Sequence, residues 1–329
     1  MGHRGPALLA LLATVALTSA CTGQKTGSSE STGDGPIRIG LVTKTESNPY
    51  FVALRDAAKA QADKSGAELI ALAGKFDGDN DGQVAAIENL VQKGARTILV
   101  TPSNSTGILA AIKKARDKGV LVIALDTETD PRDAVDATIA TDNTKAGSFQ
   151  GRYVKAALNG QPVRSILLDG TPGSTVSEQR HRGFVEAAAP EDLGTESTNG
   201  EQNKAQQATE NLVQRVADRI NAVYTLNEPA ARGAFSALKA KGLADKVVIG
   251  SIDGSCDGVR AVQKGEIAVT VMQFPKKMAE QGVTFGVEYA RSGTKPSGLV
   301  ETETATITDK PIAGVDSKDT AWGLQNCWG

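Results

Sequence analysis

The stretch IRIGLVTKTESNPYFVALRDAAKAQADKSGAELIALAG, residues 37–74, decides the fold class. A β-rich apolar run (37–44) is followed by a segment with apolar residues at helical spacing that ends at a glycine (50–66), and then by a second β-rich run (67–74). The alternation continues through strand-like runs at 96–103 and 120–127. Strands that alternate with helices in this way predict a parallel sheet with helices on both faces.

A second series of the same plan follows. The run at 136–143 ends the first series, and strand-like runs recur with helical segments between them at 163–170, 220–227, 246–253 and 267–274. Two such series predict an α/β fold of two Rossmann-like lobes with parallel sheets. The Thr-rich segment LVETETATITDKPI (299–312) is extended, and we expect it to return to the other lobe.

The first 36 residues predict export and anchoring. Residues 1–20 have a basic Arg4, an apolar run and small residues before Cys21, which is typical of a signal peptide and is too short to span a bilayer as a stable helix. A cysteine directly after the small residues resembles the lipobox of bacterial lipoproteins, although the favoured leucine is replaced by Thr18. We therefore expect Cys21 to be lipidated, with ordinary secretion as the alternative. Residues 21–36 are rich in Gly, Ser and Thr and predict a flexible linker.

The remaining cysteines predict a disulfide. An exported protein meets oxidising conditions, so Cys256 and Cys327 are free to pair, and two free thiols are the alternative. The exported part of the chain holds one histidine, His181, and no close pair of cysteines, so neither a metal nor another cofactor is predicted. The 36 basic and 38 acidic residues give a net charge of −2 without a basic run, which argues against nucleic acid as a partner.

Polar side chains stand at the predicted carboxyl ends of strands in both series. Ligands of open parallel sheets collect at these ends, and carboxylates and amides that converge there suit the hydroxyls of an uncharged sugar. Each residue has a second interpretation as a helix cap, because Asp and Asn satisfy the backbone of a following helix. The six residues are Asn48, Asp126, Asn143, Asn227, Asp253 and Gln273.

Aromatic and cationic residues complete the predicted site. Tyr50 and Phe51 are adjacent aromatics in a chain with 4% aromatic residues, and we expect one to pack inward and one to face the sugar ring. Arg180 lies in the helical segment TVSEQRHRGF (175–184), where consecutive residues point about 100° apart, so only some of them face the cleft. We assign Arg180 to the site because its forked guanidinium reaches two oxygens.

The motifs ESNPYF, VIALDT, ATDN, RHRGF, YTLNEPAARGAFSALKAKG, SIDGSCDGVRAVQKGEIAVTVMQFPKKMAEQGV and NCWG together resemble the type I periplasmic binding proteins of bacterial ABC importers. Within the ribose and galactose type, the chain looks most like the fructose-binding branch. The resemblance implies two lobes joined by three crossings that close on one monosaccharide, after which the protein docks on a permease with a cytoplasmic ATPase. It places the sugar contacts at Asn48, Tyr50, Phe51, Asp126, Asn143, Arg180, Asn227, Asp253 and Gln273.

The resemblance also implies lobe boundaries and a departure in specificity. The N-terminal lobe is expected at 37–142 with 275–300, and the C-terminal lobe at 143–274 with 301–329, in a monomer held on the outer face of the cell membrane. Ribose binders carry arginine where this chain has Thr127, and the ribose-type aromatic is missing at 200–202. A sugar that is larger than ribose, or turned differently, is therefore expected.

Other functions remain as alternatives. A sugar hydrolase would need two carboxylates around one bond, and Asp126 with Asp253 would be the candidates, but both are expected to be ionised acceptors. No G-x-G-x-x-G follows the first strand, so a dinucleotide enzyme is not supported. A transcription regulator would need a DNA-binding segment where the export signal lies. A sugar-sensing receptor for chemotaxis or signalling remains compatible with the residues.

Overall fold

The computed structural model describes residues 1–3 and 35–329. The predicted signal peptide, Cys21 and the linker lie almost wholly outside these residues. The described part of the chain forms two six-stranded sheets with helices packed on them, which confirms the two-lobed α/β fold.

The described residues form twelve strands and ten α-helices, whose bounds are as follows. The strands are β1 (Ile37–Thr43), β2 (Ala67–Ala73), β3 (Thr97–Val100), β4 (Leu121–Leu125), β5 (Ala137–Thr141), β6 (Arg164–Asp169), β7 (Glu191–Ser197), β8 (Ala222–Thr225), β9 (Val248–Asp253), β10 (Val269–Met272), β11 (Gly298–Thr302) and β12 (Ala305–Ile307). The α-helices are α1 (Pro49–Lys64), α2 (Asn80–Gln92), α3 (Leu109–Asp117), α4 (Asn143–Ala157), α5 (Thr175–Ala188), α6 (Gln202–Val216), α7 (Glu228–Ala240), α8 (Cys256–Gln263), α9 (Pro275–Ser292) and α10 (Thr320–Asn326).

Each sheet takes one strand from a distant part of the chain. The first sheet has the order β11-β5-β4-β3-β1-β2 and is parallel throughout, while the second has the order β12-β10-β9-β8-β6-β7 and is parallel except for the β10–β12 pair. The chain passes between the lobes after β5, after β10, and between β11 and β12. The Thr-rich segment is therefore two short strands, one in each sheet, and it forms the third crossing.

Apolar residues cover both faces of the first sheet. Ile39 of β1 packs on one face with Leu54 of α1 and Val283 of α9. Val42, three residues further along β1, packs on the other face with Ile87 of α2 and with residues of α3. Neighbouring β-strand side chains alternate between faces, and both are buried here, as a parallel sheet between helix layers requires.

Two glycines let α4 and α5 approach each other closely. A Cβ atom on Gly147 of α4 would lie 2.1 Å from the carbonyl oxygen of Arg180, and one on Gly183 of α5 would lie 2.0 Å from the carbonyl oxygen of Thr144. Any side chain at either position would push the helices apart. Glycine at these two positions therefore allows Arg180 to lie against the start of α4.

The disulfide predicted between Cys256 and Cys327 is present, with Cα atoms 4.9 Å apart and a sequence separation of 71. By the chain-entropy model a loop of this length stabilises the fold by about 4 kcal/mol. Next to it, the buried Trp328 donates a hydrogen bond from Nε1 to the carbonyl oxygen of Gln273 at 3.0 Å and packs edge-on against Tyr50. The tail is thus fixed to α8 on one side and to residues of the cleft on the other.

Two elements, β7 and α10, were not predicted from the sequence. β7 is a mostly exposed edge strand of sequence EDLGTES, without the apolar alternation that marks the other strands. The short helix α10 lies after the third crossing and begins at the cap residue Asp319, whose side chain accepts a hydrogen bond from the Trp322 amide. Across residues 1–3 and 35–329, we find no helix with the length and apolar character needed to cross a bilayer.

Candidate functional site

The nine residues predicted to contact a sugar come from both lobes, and eight of them are buried, while Asn48 is half-buried. Buried polar side chains need partners, because a donor or acceptor removed from water without one costs about 1–3 kcal/mol. Their hydrogen-bond partners therefore decide what each side chain does.

Five residues around the first two crossings form a closed ring of polar contacts. Thr141 Oγ1 donates to Gln273 Oε1 at 2.9 Å, and Gln273 Nε2 donates to Asp253 Oδ1 at 2.9 Å. Arg180 Nη1 lies 4.0 Å from the same Asp253 oxygen, and Arg180 Nε donates to Asn143 Oδ1 at 2.8 Å. Asn143 Nδ2 then donates to the carbonyl oxygen of Thr141 at 3.0 Å. The ring links Arg180 and Asp253 directly to the hinge.

Tyr50 and Asp126 of the first lobe lie opposite this ring. Burial raises the pKa of Tyr50 well above its usual range, and the carboxylate of Asp126 raises it further, while Arg180 lowers it. The Tyr50 hydroxyl donates to Met278 Sδ at 3.4 Å, and its ring packs edge-on against Phe51. The Tyr50 pKa depends on Arg180, so the hydroxyl lies within electrostatic reach of the second lobe. Phe51 packs into the core of the first lobe, with both rings buried.

The helix-cap interpretation holds for two of the six strand-end residues. Asn48 Oδ1 accepts from the Tyr50 amide at 3.0 Å, and Asn227 Oδ1 accepts from the Ala230 amide at 3.0 Å. Asn227 also donates from Nδ2 to the carbonyl oxygen of Gly200 at 3.1 Å. The caps of α4 and α8 are Asp142 and Ser255. The cap interpretation is therefore wrong for Asn143 and Asp253.

Asp126 and Asp253 each have an unusual backbone conformation. Their φ angles are 64° and 148°, which residues other than glycine rarely adopt. Residues in such conformations cluster at binding and catalytic sites, where the surrounding structure maintains the strained backbone. Asp126 caps no described helix, and its Oδ2 accepts from Thr127 Oγ1 at 2.9 Å. Both aspartates are thus placed by the backbone rather than by a capping role.

Glu228 is a buried carboxylate that the sequence patterns did not reveal. Oε1 accepts from the Gly254 amide at 2.8 Å and from Thr270 Oγ1 at 2.7 Å, and Oε2 accepts from the Ser255 amide at 3.1 Å and from the Ser255 hydroxyl. Burial raises the pKa of Glu228, and these hydrogen bonds oppose the rise. In the sequence, Glu228 follows Asn227 in NEPAA and looks like an ordinary acidic residue in the first turn of a helix.

Glu228 also acts on Asp253. Burial raises the pKa of Asp253 well above its usual range, the Glu228 carboxylate raises it further, and Arg180 lowers it. Burial and Glu228 therefore oppose the ionised form that was expected for Asp253. Arg180 and Gln273 are the groups that favour its charged form.

A second missed group is Lys44, which ends the apolar run of β1. Its buried ammonium lies 3.8 Å from Asp77 Oδ2 and 6.0 Å from the centre of the Phe51 ring. Burial raises the pKa of Asp77, while Lys44 and the hydroxyl of Thr171 lower it. Thr171 belongs to the second lobe, so Asp77 lies where the lobes meet. A lysine at the end of a buried strand was the one signal for this group.

The two lobes are in direct contact at Asp77 and at two further places. Asn199 Nδ2 donates to the Asp77 carbonyl oxygen at 3.0 Å, and the Ser105 amide donates to the Gly173 carbonyl oxygen at 2.9 Å. Thr175 Oγ1 adds a bond to the Glu128 carbonyl oxygen at 3.1 Å. These contacts describe lobes that are closed on each other.

The neighbours of Arg180 lie outside the ring. The half-buried His181 contacts Asp169, with Nδ1 3.0 Å from each carboxylate oxygen, and that contact raises the pKa of the imidazole. The exposed Arg182 donates to Thr144 Oγ1 at 3.0 Å. Among residues 1–3 and 35–329, no group of three or more His, Cys, Asp or Glu is arranged to hold a metal ion.

A family model described as a periplasmic binding protein domain matches residues 39–295. The chain belongs to the periplasmic binding protein family. The match runs from within β1 to the end of α9 and leaves out β11 and β12, so the periplasmic binding protein fold spans both lobes and the first two crossings.

Named relatives and solved structures agree with this assignment. The periplasmic binding protein described here is 33% identical over 250 residues to the ribose import binding protein RbsB of Salmonella typhimurium, covering 74% of this chain and 82% of that one. It is similar to a galactofuranose binding protein of known structure (25% identity, TM-score 0.80, 88% of this chain and 98% of the other).

A solute binding protein from Actinobacillus succinogenes, crystallised with D-allose, is also similar (26% identity, TM-score 0.76, 83% and 97%). All three are named as binding proteins, RbsB as an import binding protein and the protein with D-allose as part of an ABC transporter. Their function confirms the prediction that this chain is not an enzyme.

Proposed function

We propose that this protein captures a monosaccharide, fructose or a related sugar, between its lobes and delivers it to the permease of an ABC transporter. The observation that carries the proposal is the buried ring that joins Arg180, Asp253, Asn143 and Gln273, with Tyr50 and Asp126 opposite it in the first lobe. A charged fork, carboxylates and amides in one buried place suit an uncharged ligand with many hydroxyl groups.

The similar proteins support the ligand class. Their names mention ribose and galactofuranose, and one was crystallised with D-allose, so all three concern sugars. Thr127 supports a sugar other than ribose, because it is fully buried beside Asp126 and its hydroxyl donates to that carboxylate. A short side chain there leaves space that an arginine would occupy.

The mechanism we propose is closure by differential affinity. A sugar held by one lobe favours the closed arrangement, because only there do the groups of the second lobe pair with it. The lobes that move comprise residues 37–142 with 275–302 and residues 143–274 with 303–329. The boundary expected after residue 300 falls two residues early, because β11 stays in the first sheet up to Thr302. Asn143 and Gln273 lie at the crossings and belong to the ring, so a ligand that binds Arg180 or Asp253 acts directly on the hinge.

Calorimetric titration with fructose, ribose, allose, galactose, xylose and myo-inositol tests the ligand class. We expect heat of binding from at least one of these sugars, and Arg180→Ala should abolish that heat while the circular dichroism spectrum is retained. Arg182→Ala is the matched control, since this exposed neighbour lies outside the ring. If no sugar gives heat, or if both variants bind as the wild type does, the proposal is wrong.

The anchor is a separate part of the proposal. Lipidation of Cys21 would hold the protein on the outer face of the membrane, within reach of the permease. The anchored protein is proposed to be a monomer. Expression of the full chain and of Cys21→Ser in a bacterial host, followed by fractionation, tests it. The wild type should sediment with membranes and the variant should be released. Equal release of both proteins would remove the anchor from the proposal and leave sugar binding untouched.

A further inference from the structure

A cavity opens at the edge of the cleft, next to the proposed sugar site. It has a volume of about 480 Å³, within the range of about 300–1,000 Å³ that ligand pockets occupy. Asn48, Phe76 and Asp77 of the first lobe line it, together with Asn199, Gln202 and Arg232 of the second. We call this cavity the mouth pocket. It exists only where the lobes meet, and the bond from Asn199 to the Asp77 carbonyl oxygen closes one side of it.

The mouth pocket borders the sugar site at three places. Asn48 lines the pocket and caps the helix that carries Tyr50. Gly200 lines the pocket and accepts a hydrogen bond from Asn227. The Asp77 carboxylate is close enough to Asp126 for that charge to raise its pKa. The mouth pocket and the proposed sugar site are therefore neighbours in the cleft.

The lining has the chemistry of a carbohydrate site. Phe76 is 52% exposed, and in residues 35–329 Leu324 is the other large apolar side chain on the surface. An aromatic face offers a platform for the C–H groups of a sugar ring. The exposed Gln202 side chain makes no hydrogen bond to the described residues, so its amide is available for hydroxyls.

The charges around the mouth pocket balance. Lys75 and Arg232 line it beside Asp77 and Glu201, giving two groups of each sign. Glu201 is 2.8 Å from Lys204, and Arg232 is 3.6 Å from Asp257, so both have partners of their own. An uncharged occupant fits this balance better than a phosphate or a carboxylate, each of which would need an excess of positive charge.

We infer that the mouth pocket is a second carbohydrate subsite, and that the protein also accepts its monosaccharide as part of a disaccharide or glycoside whose second ring stacks on Phe76. This rests on the proposed sugar-binding function and deepens it. The first ring occupies the buried ring of polar groups, and the glycosidic oxygen points past Asn48 and Gly200 into the pocket. The absence of an aromatic residue at 200–202 leaves room for that second ring.

Calorimetry on the purified chain compares fructose, galactose and xylose from the earlier panel with glycosides that contain them: sucrose, lactulose, melibiose and xylobiose. We expect at least one glycoside to bind tenfold or more tighter than its parent monosaccharide. Phe76→Ala should reduce that advantage about tenfold, the size of effect that an aromatic contact provides. Leu324→Ala is the matched control, being an exposed apolar residue away from the cleft.

The possible outcomes separate the two proposals. If monosaccharides bind and every glycoside binds more weakly than its parent, the subsite is refuted and the sugar-binding function stands. The subsite is also refuted if Phe76→Ala weakens both ligand types equally. If neither type gives heat, both proposals fall. Binding of a glycoside alone, lost in Phe76→Ala, would support the subsite and overturn the monosaccharide as the ligand.

Discussion

Gln273 donates a hydrogen bond from Nε2 to Asp253 Oδ1 at 2.9 Å, and so connects the second crossing to a carboxylate of the candidate site. Its Oε1 accepts from Thr141 Oγ1, which belongs to the end of β5 at the first crossing. One side chain thus touches both crossings and a proposed ligand group. A substitution of Gln273 should therefore change both the ligand affinity and the stability of the fold.

Gln273→Ala should weaken sugar affinity at least tenfold and destabilise the fold by about 1–3 kcal/mol, because Asp253 and Thr141 each lose a buried partner. Calorimetry and urea unfolding measure the two effects. Gln61→Ala is the matched control: Gln61 Nε2 is 3.3 Å from Thr284 Oγ1, between α1 and α9 and away from the cleft. Unchanged affinity in Gln273→Ala would contradict the hinge connection.

Gly183→Ala should separate α5 from α4, because the new methyl group would overlap the carbonyl oxygen of Thr144. Overpacking of this kind costs about 1–3 kcal/mol. Displacing Arg180 from Asn143 should also raise the dissociation constant about 10- to 100-fold, the value of a hydrogen bond to a charged group. Thermal unfolding and calorimetry measure both changes. Arg182→Ala, one residue away on the exposed face, should alter neither, and a wild-type affinity in Gly183→Ala would show that the helix contact does not position Arg180.

Glu228→Gln should lower the pH at which sugar affinity changes. In the wild type, the neighbouring carboxylate raises the pKa of Asp253, so the ionised form that pairs with Arg180 and accepts hydroxyls appears only at higher pH. Removing the charge of Glu228 lowers the pKa of Asp253, and the rise of affinity with pH should move toward acid. Calorimetry across a pH series measures the midpoint.

A midpoint that stays in place would show that Glu228 does not act on Asp253. The variant should also be less stable, because the amide nitrogen of glutamine cannot accept the hydrogen bonds that one carboxylate oxygen now receives.

Asp169→Asn should remove a pH-dependent part of the stability. Asp169 raises the pKa of His181 above its ordinary 6.5, so the pair contributes stability that is fully present below pH 6.5 and is lost as pH rises through the higher folded value. The difference in unfolding free energy between wild type and Asp169→Asn should therefore be largest at acid pH and shrink toward alkaline pH. Urea unfolding at several pH values measures it. Glu178→Gln, at an exposed position of α5, should show no such trend, and a difference independent of pH would refute the assignment.

The alternation of strands and helices could be predicted from the sequence because each buried strand is a short apolar run with polar residues at its end. β7 could not, since its exposed residues at the edge of the sheet carry no alternation. Cys256 and Cys327 could be paired because few cysteines remain in the exported part of the chain. The polar strand ends could be named as a set, and Asp126 and Asp253 prove to be held by unusual backbone angles rather than by capping.

Glu228 and Lys44 were missed for a physical reason. Neither residue differs in its local sequence from an ordinary helix start or strand end. What makes Glu228 distinctive is that four donors from residues 254, 255 and 270 converge on it. Lys44 is distinctive because Asp77 and the second lobe close over it. Such convergence arises from contacts between distant segments, which a pattern along the chain does not contain.

Trp328 gives the hinge an optical reporter of its own. Its indole packs on Tyr50 of the first lobe and bonds to the backbone of Gln273, while the adjacent Cys327 is tied covalently to the second lobe. Separation of the lobes would draw the indole away from Tyr50 and let water reach it. Intrinsic fluorescence should therefore shift toward the red on opening and back toward the blue when ligand is added, without any attached dye.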